Sequence, residues 1–241
     1  MGKSKAMMAL LTKHRSAELP EKPRRTAPNL AKNNSLIGIA YRPGLRAAGT
    51  VRNITGNRQI YGEGEDADAF FKVVSGVVRV CTFLSDGRRQ IDAFHVSGDV
   101  FGLETGKAYS LSAEAVCAST VISYRRSDLA RFEESNKALS RQLLFYAMRG
   151  LARAQAHSVL LGRRTAIEKV AAFIIDWAAY SPNSNVVTLA MSRQDIADYL
   201  GLTIETVSRT FSHLEREAFI EVTTARQITL KDRRGLRDLN N

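Results

Sequence analysis

The spacing of apolar and polar positions divides the chain into segments of different period. Between about residues 50 and 127, short β-branched runs alternate with glycine turns. Val73–Val74, Val77–Val80, Ile91–Phe94 and Val116–Tyr124 read as strands, and Ser75-Gly76, Asp86-Gly87 and Ser97-Gly98 as turns. Strands this short and evenly spaced predict an antiparallel sandwich or jelly roll. From Asn136 to Leu161 the period lengthens to that of a helix: Leu144, Met148, Leu151 and Val159 share one face at three- and four-residue steps, and Gln155 takes one of those steps. After Gly162 a second amphipathic helix carries Ile167, Val170, Phe173, Ile174 and Trp177 on its buried side and ends at "SPNSN".

The next segment is punctuated by caps. Ser192 and Asp195 form an S-x-x-D start signal, Ile196, Ala197 and Leu200 supply an apolar face, and Gly201 permits a tight turn. Thr203 caps a following helix whose inner side holds Val207, Phe211 and Leu214. Two short strands, "FIEV" and "QITL", joined by "TTAR", complete a winged helix-turn-helix. The predicted class is α+β, with a basic, disordered arm over residues 1–47, a jelly roll over 48–133, a long helix over 134–161, the winged helix over 162–235 and a tail over 236–241. The stripe on the long helix either packs on its own domain or pairs with a second copy in a coiled coil. In the second case Gln155 sets the register; in the first it marks where the stripe turns to solvent.

Charge narrows the partners. A formal net charge of +11 on 241 residues favours polyanions, either nucleic acid or an anionic membrane. No apolar run reaches bilayer length, and the apolar part of "KSKAMMALLTKHR" is too short for a signal peptide, so a cytoplasmic protein is expected. Cys81 and Cys117 stand singly among apolar neighbours and the four histidines are scattered, which predicts neither metal nor iron–sulfur cluster, and no cofactor. No nucleophile–base set or P-loop occurs, and the glycines of "GEGEDA" sit beside acids, so an enzyme is not expected.

With Val207, Phe211 and Leu214 inward, Glu205, Ser208 and Arg209 project outward near the start of their helix. In a helix-turn-helix that end enters the major groove. There arginine forks onto guanine, glutamate accepts from cytosine, and serine takes either role. The competing reading is a solvated Glu–Arg pair at i,i+4, worth about 0.2–0.5 kcal/mol. Ser192, Arg193, Thr203, Thr206 and Arg226 are the expected phosphate contacts, which fix register without reading sequence.

"MSRQDIADYLGLTIETVSRTFSHLE", preceded by a long helix and a β domain containing "GDVFGLE", resembles the Crp/Fnr superfamily of bacterial transcription regulators, most closely its FixK-type branch, over roughly residues 48–235. The resemblance implies a cyclic-nucleotide-binding-like double-stranded β-helix, a dimerisation helix bearing Leu144, Met148, Leu151, Gln155 and Val159, and a C-terminal winged helix. It implies a homodimer reading palindromic TTGA-type half-sites on double-stranded DNA through Glu205, Ser208 and Arg209. Such a dimer recruits RNA polymerase to promoters for microaerobic respiration and nitrogen fixation, and the turn at Asp86, Gly87 and Arg88 lies where relatives can touch polymerase. The chain departs from the cyclic-nucleotide-binding pattern: Tyr109-Ser110 stands where an Arg-Ser pair would hold the phosphate, and no arginine lies between Arg89 and Arg125. Residues 1–80 contain no cysteine. The expectation is therefore a roll without a small-molecule ligand. A ligand-gated regulator of the same fold, and a regulatory module of an enzyme or channel, are the alternatives.

Overall fold

The computed structural model describes residues 49–128, 137–163, 165–181 and 185–239. The arm expected over residues 1–47, the start of the long helix before Lys137, positions 182–184 of the "SPNSN" loop and the last two residues of the tail lie outside them.

Among the described residues, eight strands build the roll: β1 (Thr50–Ile54), β2 (Gln59–Tyr61), β3 (Ala69–Ser75), β4 (Val77–Phe83), β5 (Arg89–Val96), β6 (Val100–Phe101), β7 (Ser112–Ala115) and β8 (Ser119–Arg125). They form two four-stranded antiparallel sheets, ordered β1-β8-β3-β6 and β2-β7-β4-β5. The single strand expected over Val116–Tyr124 is broken. Val116 donates its N–H to Val77 at 2.8 Å, and the Ser119 hydroxyl donates to the Cys117 carbonyl at 2.8 Å, so the chain bends there and changes sheet. Gly76 allows this close approach: its φ is +86°, and a Cβ would lie 2.2 Å from Ser119 Oγ.

Aromatic rings fill the interior of the roll. Tyr61 stacks on Tyr109 at 3.7 Å between centroids and on Phe71 at 5.5 Å, and Phe71 stacks on Phe101 at 5.3 Å. Pairs of this kind contribute about 0.5–1.5 kcal/mol each beyond the area they bury. Cys81 is wholly buried, and burial pushes its thiol up to about 11, the behaviour of a small core hydrophobe.

Helix α1 (Lys137–Leu161) leaves the roll and is clasped to it by charge. The buried Asp99 carboxylate accepts from Arg153 at 2.6 Å and from the Val96 N–H at 3.0 Å, with Arg149 3.6 Å away. Helix α2 (Ala166–Ala178) follows, capped by Thr165, which accepts from Glu168 N–H. Next come β9 (Val186–Thr188), α3 (Arg193–Leu200), α4 (Ile204–Arg216), β10 (Ile220–Thr224), β11 (Gln227–Leu230) and α5 (Arg233–Asp238). The wing is a three-stranded sheet, β10-β11-β9, so the expected hairpin gains a strand. The short α5 crosses the expected boundary at residue 235 and buries Leu236 completely. None of the helices among the described residues is long and apolar enough to cross a membrane.

His95, buried beside this clasp, gives a pH prediction. Its ring stacks on Phe101 at 5.3 Å, and Arg153 Nη2 stands 3.5 Å from Nδ1. Burial first, and then the Arg153 charge, push its pKa from 6.5 down to about 4 against the smaller opposing pull of Asp99. The folded state therefore resists protonation more than the unfolded chain. Stability from this residue is complete above pH 6.5 and is lost as pH falls through about 4, a total of about 3 kcal/mol. Urea unfolding at stepped pH should show that loss in the wild-type chain and a shallower slope in His95→Phe. Equal slopes would assign the acid sensitivity elsewhere.

Candidate nucleic-acid interface

The two helices of the reading unit are each fixed at their start by a side chain. Ser192 and Asp195 form a full capping box on α3: the Asp195 N–H donates to Ser192 Oγ at 3.1 Å, and the Ser192 N–H and hydroxyl both donate to Asp195 Oδ2, at 2.9 and 2.8 Å. Gly201 then ends α3 in the left-handed region, at φ 63°, where L side chains are strained. Thr203 caps α4 by accepting from the Thr206 N–H at 3.2 Å, and the two threonine hydroxyls lie 3.0 Å apart. A cap of this kind is worth about 1 kcal/mol. Val207, Phe211 and Leu214 are buried against Ile196, Ala197 and Leu200, as their spacing requires.

The opposite face of α4 carries the expected trio. Glu205, Ser208 and Arg209 are all exposed, and among the described residues none of their side chains is engaged in a hydrogen bond or ion pair. The intrahelical Glu205–Arg209 pair weighed as the alternative is therefore not made. The face holds an acceptor, a hydroxyl and a fork of donors, all available to a ligand, on a helix whose first turn also carries the positive end of the backbone dipole.

The expected phosphate contacts are placed less uniformly. Thr203 and Thr206 border the start of α4, with Thr203 exposed. Arg226 is exposed at the tip of the wing, and its guanidinium donates to the Ala190 carbonyl just before α3. Ser192 spends its hydrogen inside the capping box, so a phosphate contact through its hydroxyl requires that bond to open. Arg193 is half-buried, with its guanidinium carbon 3.3 Å above the Phe211 ring and Nη1 without a hydrogen-bond partner among the described residues. Burial pushes its pKa down to about 10, and its charge survives at neutral pH. The stack on Phe211 joins two helices and leaves no periodic signal in the sequence.

On α1, Leu144, Met148, Leu151 and Val159 are between 61% and 67% exposed, and Gln155 is exposed among them. The opposite side of the same helix buries Tyr146, His157 and Leu160. Among the described residues the stripe thus packs on no part of the chain's own core. At the turn between β4 and β5, Asp86 accepts from the Arg88 N–H at 3.0 Å and from its Nε at 2.7 Å, and these two bonds hold the exposed carboxyl below the usual range. Gly87 tops that turn.

Tyr109 and Ser110, which stand where the resemblance leads one to expect an Arg-Ser pair, bond within the roll. The Tyr109 ring turns inward onto Tyr61, and its hydroxyl donates to the Ala69 carbonyl at 2.6 Å. Ser110 donates to Glu104 at 2.9 Å, and Lys107 is exposed. Among the described residues, no group of three or more His, Cys, Asp or Glu side chains is placed to hold a metal ion.

Comparison with known proteins places these features in a family. Residues 168–239 match the Crp-like helix-turn-helix domain and residues 51–136 the cyclic nucleotide-binding domain. The chain is 46% identical over 202 residues to the nitrogen fixation regulation protein FixK of Azorhizobium caulinodans, covering 82% of each chain. It is 40% identical over 205 residues to FixK of Rhizobium meliloti, covering 85% of this chain and 92% of that one. Among solved structures, FixK2 from Bradyrhizobium japonicum superposes with a TM-score of 0.76 at 42% identity, over 80% of this chain and 98% of that one.

Proposed function

From a chain that belongs to the Crp/Fnr superfamily of transcription regulators, in its FixK-type branch, we propose a homodimer in which each α4 reads one half of a palindromic TTGA-type operator. As a FixK-type regulator it binds DNA and acts mainly as an activator of microaerobic and nitrogen-fixation genes. The finer assignment rests on one observation: an acid, a hydroxyl and a guanidinium stand exposed and unengaged on the first turns of a helix capped by Thr203. The exposed stripe of α1 supports the dimer, because two reading helices must be held about 34–36 Å apart to meet successive major grooves.

In this reading Arg209 forks onto the guanine of TTGA, Glu205 accepts from the amino group of a cytosine, and Ser208 serves a neighbouring edge. Thr203, Thr206, Arg226 and Arg193 hold the phosphates, with Ser192 joining them only if it leaves its cap. RNA polymerase is the partner recruited, with Asp86, Gly87 and Arg88 as its contact. The roll takes no small-molecule ligand: the stack of Tyr61, Phe71, Phe101 and Tyr109 fills its interior, and a buried phosphate needs a paired cation that Tyr109 does not supply. The protein acts in the cytoplasm, without enzymatic activity.

Fluorescence anisotropy with a labelled inverted-repeat TTGA duplex and a scrambled duplex, at one fixed salt concentration, tests the reading. Specific binding should exceed nonspecific binding by about 10³-fold or more. Arg193→Ala should weaken both duplexes by the same factor, because it holds backbone; a loss confined to the operator would make it a base reader instead. Addition of cyclic AMP or cyclic GMP should leave both affinities unchanged.

A further inference from the structure

The roll and the reading unit share one core and one set of ion pairs. Val77, Cys81, Ile91 and Phe94 of the roll continue into Val170, Ile174, Trp177, Ile196 and Leu200 as a single apolar cluster. Phe94 meets the edge of Trp177 at 5.9 Å and the ring of Tyr199 at 5.3 Å. Beside this contact Arg79 and Arg89 reach across to α3. Arg89 Nη2 lies 2.5 Å from Asp195 Oδ1, and its Nε lies 2.8 Å from Asp198 Oδ2, so one guanidinium spans two carboxylates a helical turn apart. Arg79 joins Asp195 at 3.1 Å to Glu114 at 2.6 Å. Although burial works against its charge, the hydrogen bond to Asp198 and the field of Asp195 hold Arg89 above the ordinary guanidinium range.

Asp195 therefore does two jobs with two oxygens: Oδ2 caps α3, and Oδ1 receives the roll's arginines. On its other side α3 meets α1, where the His157 and Tyr199 rings stack at 4.0 Å and His157 Nε2 lies 2.8 Å from the Tyr199 carbonyl. The helix preceding the reading helix is thus gripped by the roll and by the helix with the exposed stripe, and these contacts leave Glu205, Ser208 and Arg209 exposed.

We infer that Arg89 and Arg79, through Asp198 and Asp195, are positioning residues for DNA reading: they fix the angle of α4 relative to the dimer axis and so set which half-site spacing the protein accepts. This gives the roll a function that needs no ligand. A reading unit held only by a chain connection would sample many orientations and tolerate operators of several spacings. One held by a forked, partly buried ion pair samples few, because each carboxylate restricts a different direction of motion. The inference rests on the reading of a DNA-bound pair of subunits.

The test uses the full chain and three duplexes: two TTGA half-sites at the preferred spacing, the same with one base pair inserted, and a single half-site. The variant is Arg89→Gln/Asp198→Asn, which removes both charges while Arg79 still pairs Asp195. Wild-type protein should prefer the correct spacing by about tenfold or more, and the variant by about twofold or less, with single half-site affinity unchanged. Arg89→Lys, which restores the charge but not the fork, should recover part of the preference. If the double variant fails to fold by circular dichroism, Asp198→Asn alone, which keeps every contact to Asp195, should still lower the preference. Variants that fold and discriminate spacing as sharply as wild type would overturn the inference. A wild-type protein indifferent to spacing would overturn the dimer reading itself.

Discussion

Arg209→Ala should lower affinity for each TTGA half-site by about 1–3 kcal/mol, and for the paired operator by about 2–6 kcal/mol, while random-sequence DNA is bound nearly as before. The structure makes this substitution informative. Arg209 is exposed and engages no partner among the described residues, so its truncation removes no interaction of the free protein. The free energy of unfolding should move by no more than a surface change moves it, about 0.5 kcal/mol at most. The lost affinity then belongs to the DNA contact alone. Titrations of operator and random duplex at the same salt concentration measure it, since phosphate contacts scale with salt and base contacts do not. An equal loss on both duplexes would demote Arg209 to a phosphate contact.

Leu151→Asp should cost more. Leu151 is central to a stripe that is exposed in the single chain, and a carboxylate there would be buried without a cation once two copies paired. Separated subunits meet the operator one at a time. They lose the effective concentration that linkage gives, so operator affinity should fall by about 10²–10⁴-fold. Single half-site affinity should remain, because α4 lies on a separate element whose caps do not involve Leu151. Analytical ultracentrifugation should show a monomer where the wild-type chain sediments as a dimer. A variant that stays dimeric and keeps operator affinity would remove the stripe from the interface.

The reading unit was largely legible because its determinants are local. Ser192 with Asp195, Gly201 and Thr203 mark helix ends within four residues of the groups they serve, and the inward positions of α4 follow a 3.6-residue period. The stripe of α1 was legible for the same reason, and its exposure follows from which side of the helix buries Tyr146, His157 and Leu160. What escaped depends on distance or brevity. Arg79 and Arg89 meet Asp195 across more than a hundred residues, and no periodicity announces such a pair. β2, β6 and β9 have three residues or fewer, and their hydrogen bonds come from neighbouring strands rather than from their own composition. The bend after Val116 lay hidden in a run of strand-forming residues, because its cause, the Gly76–Ser119 approach, is tertiary. The inward turn of Tyr109, in the loop between β6 and β7, likewise needs Tyr61 and Ala69, from two strands distant in sequence.

The proposed fork of Arg209 onto guanine can be tested directly. A thermodynamic cycle pairs Arg209→Ala with an operator whose TTGA guanines carry carbon in place of N7, four affinities in all, measured at one salt concentration. The altered base should weaken wild-type binding and cost the alanine variant almost nothing further, since the fork is already gone. Losses that add in full would mean that the arginine and the guanine never meet.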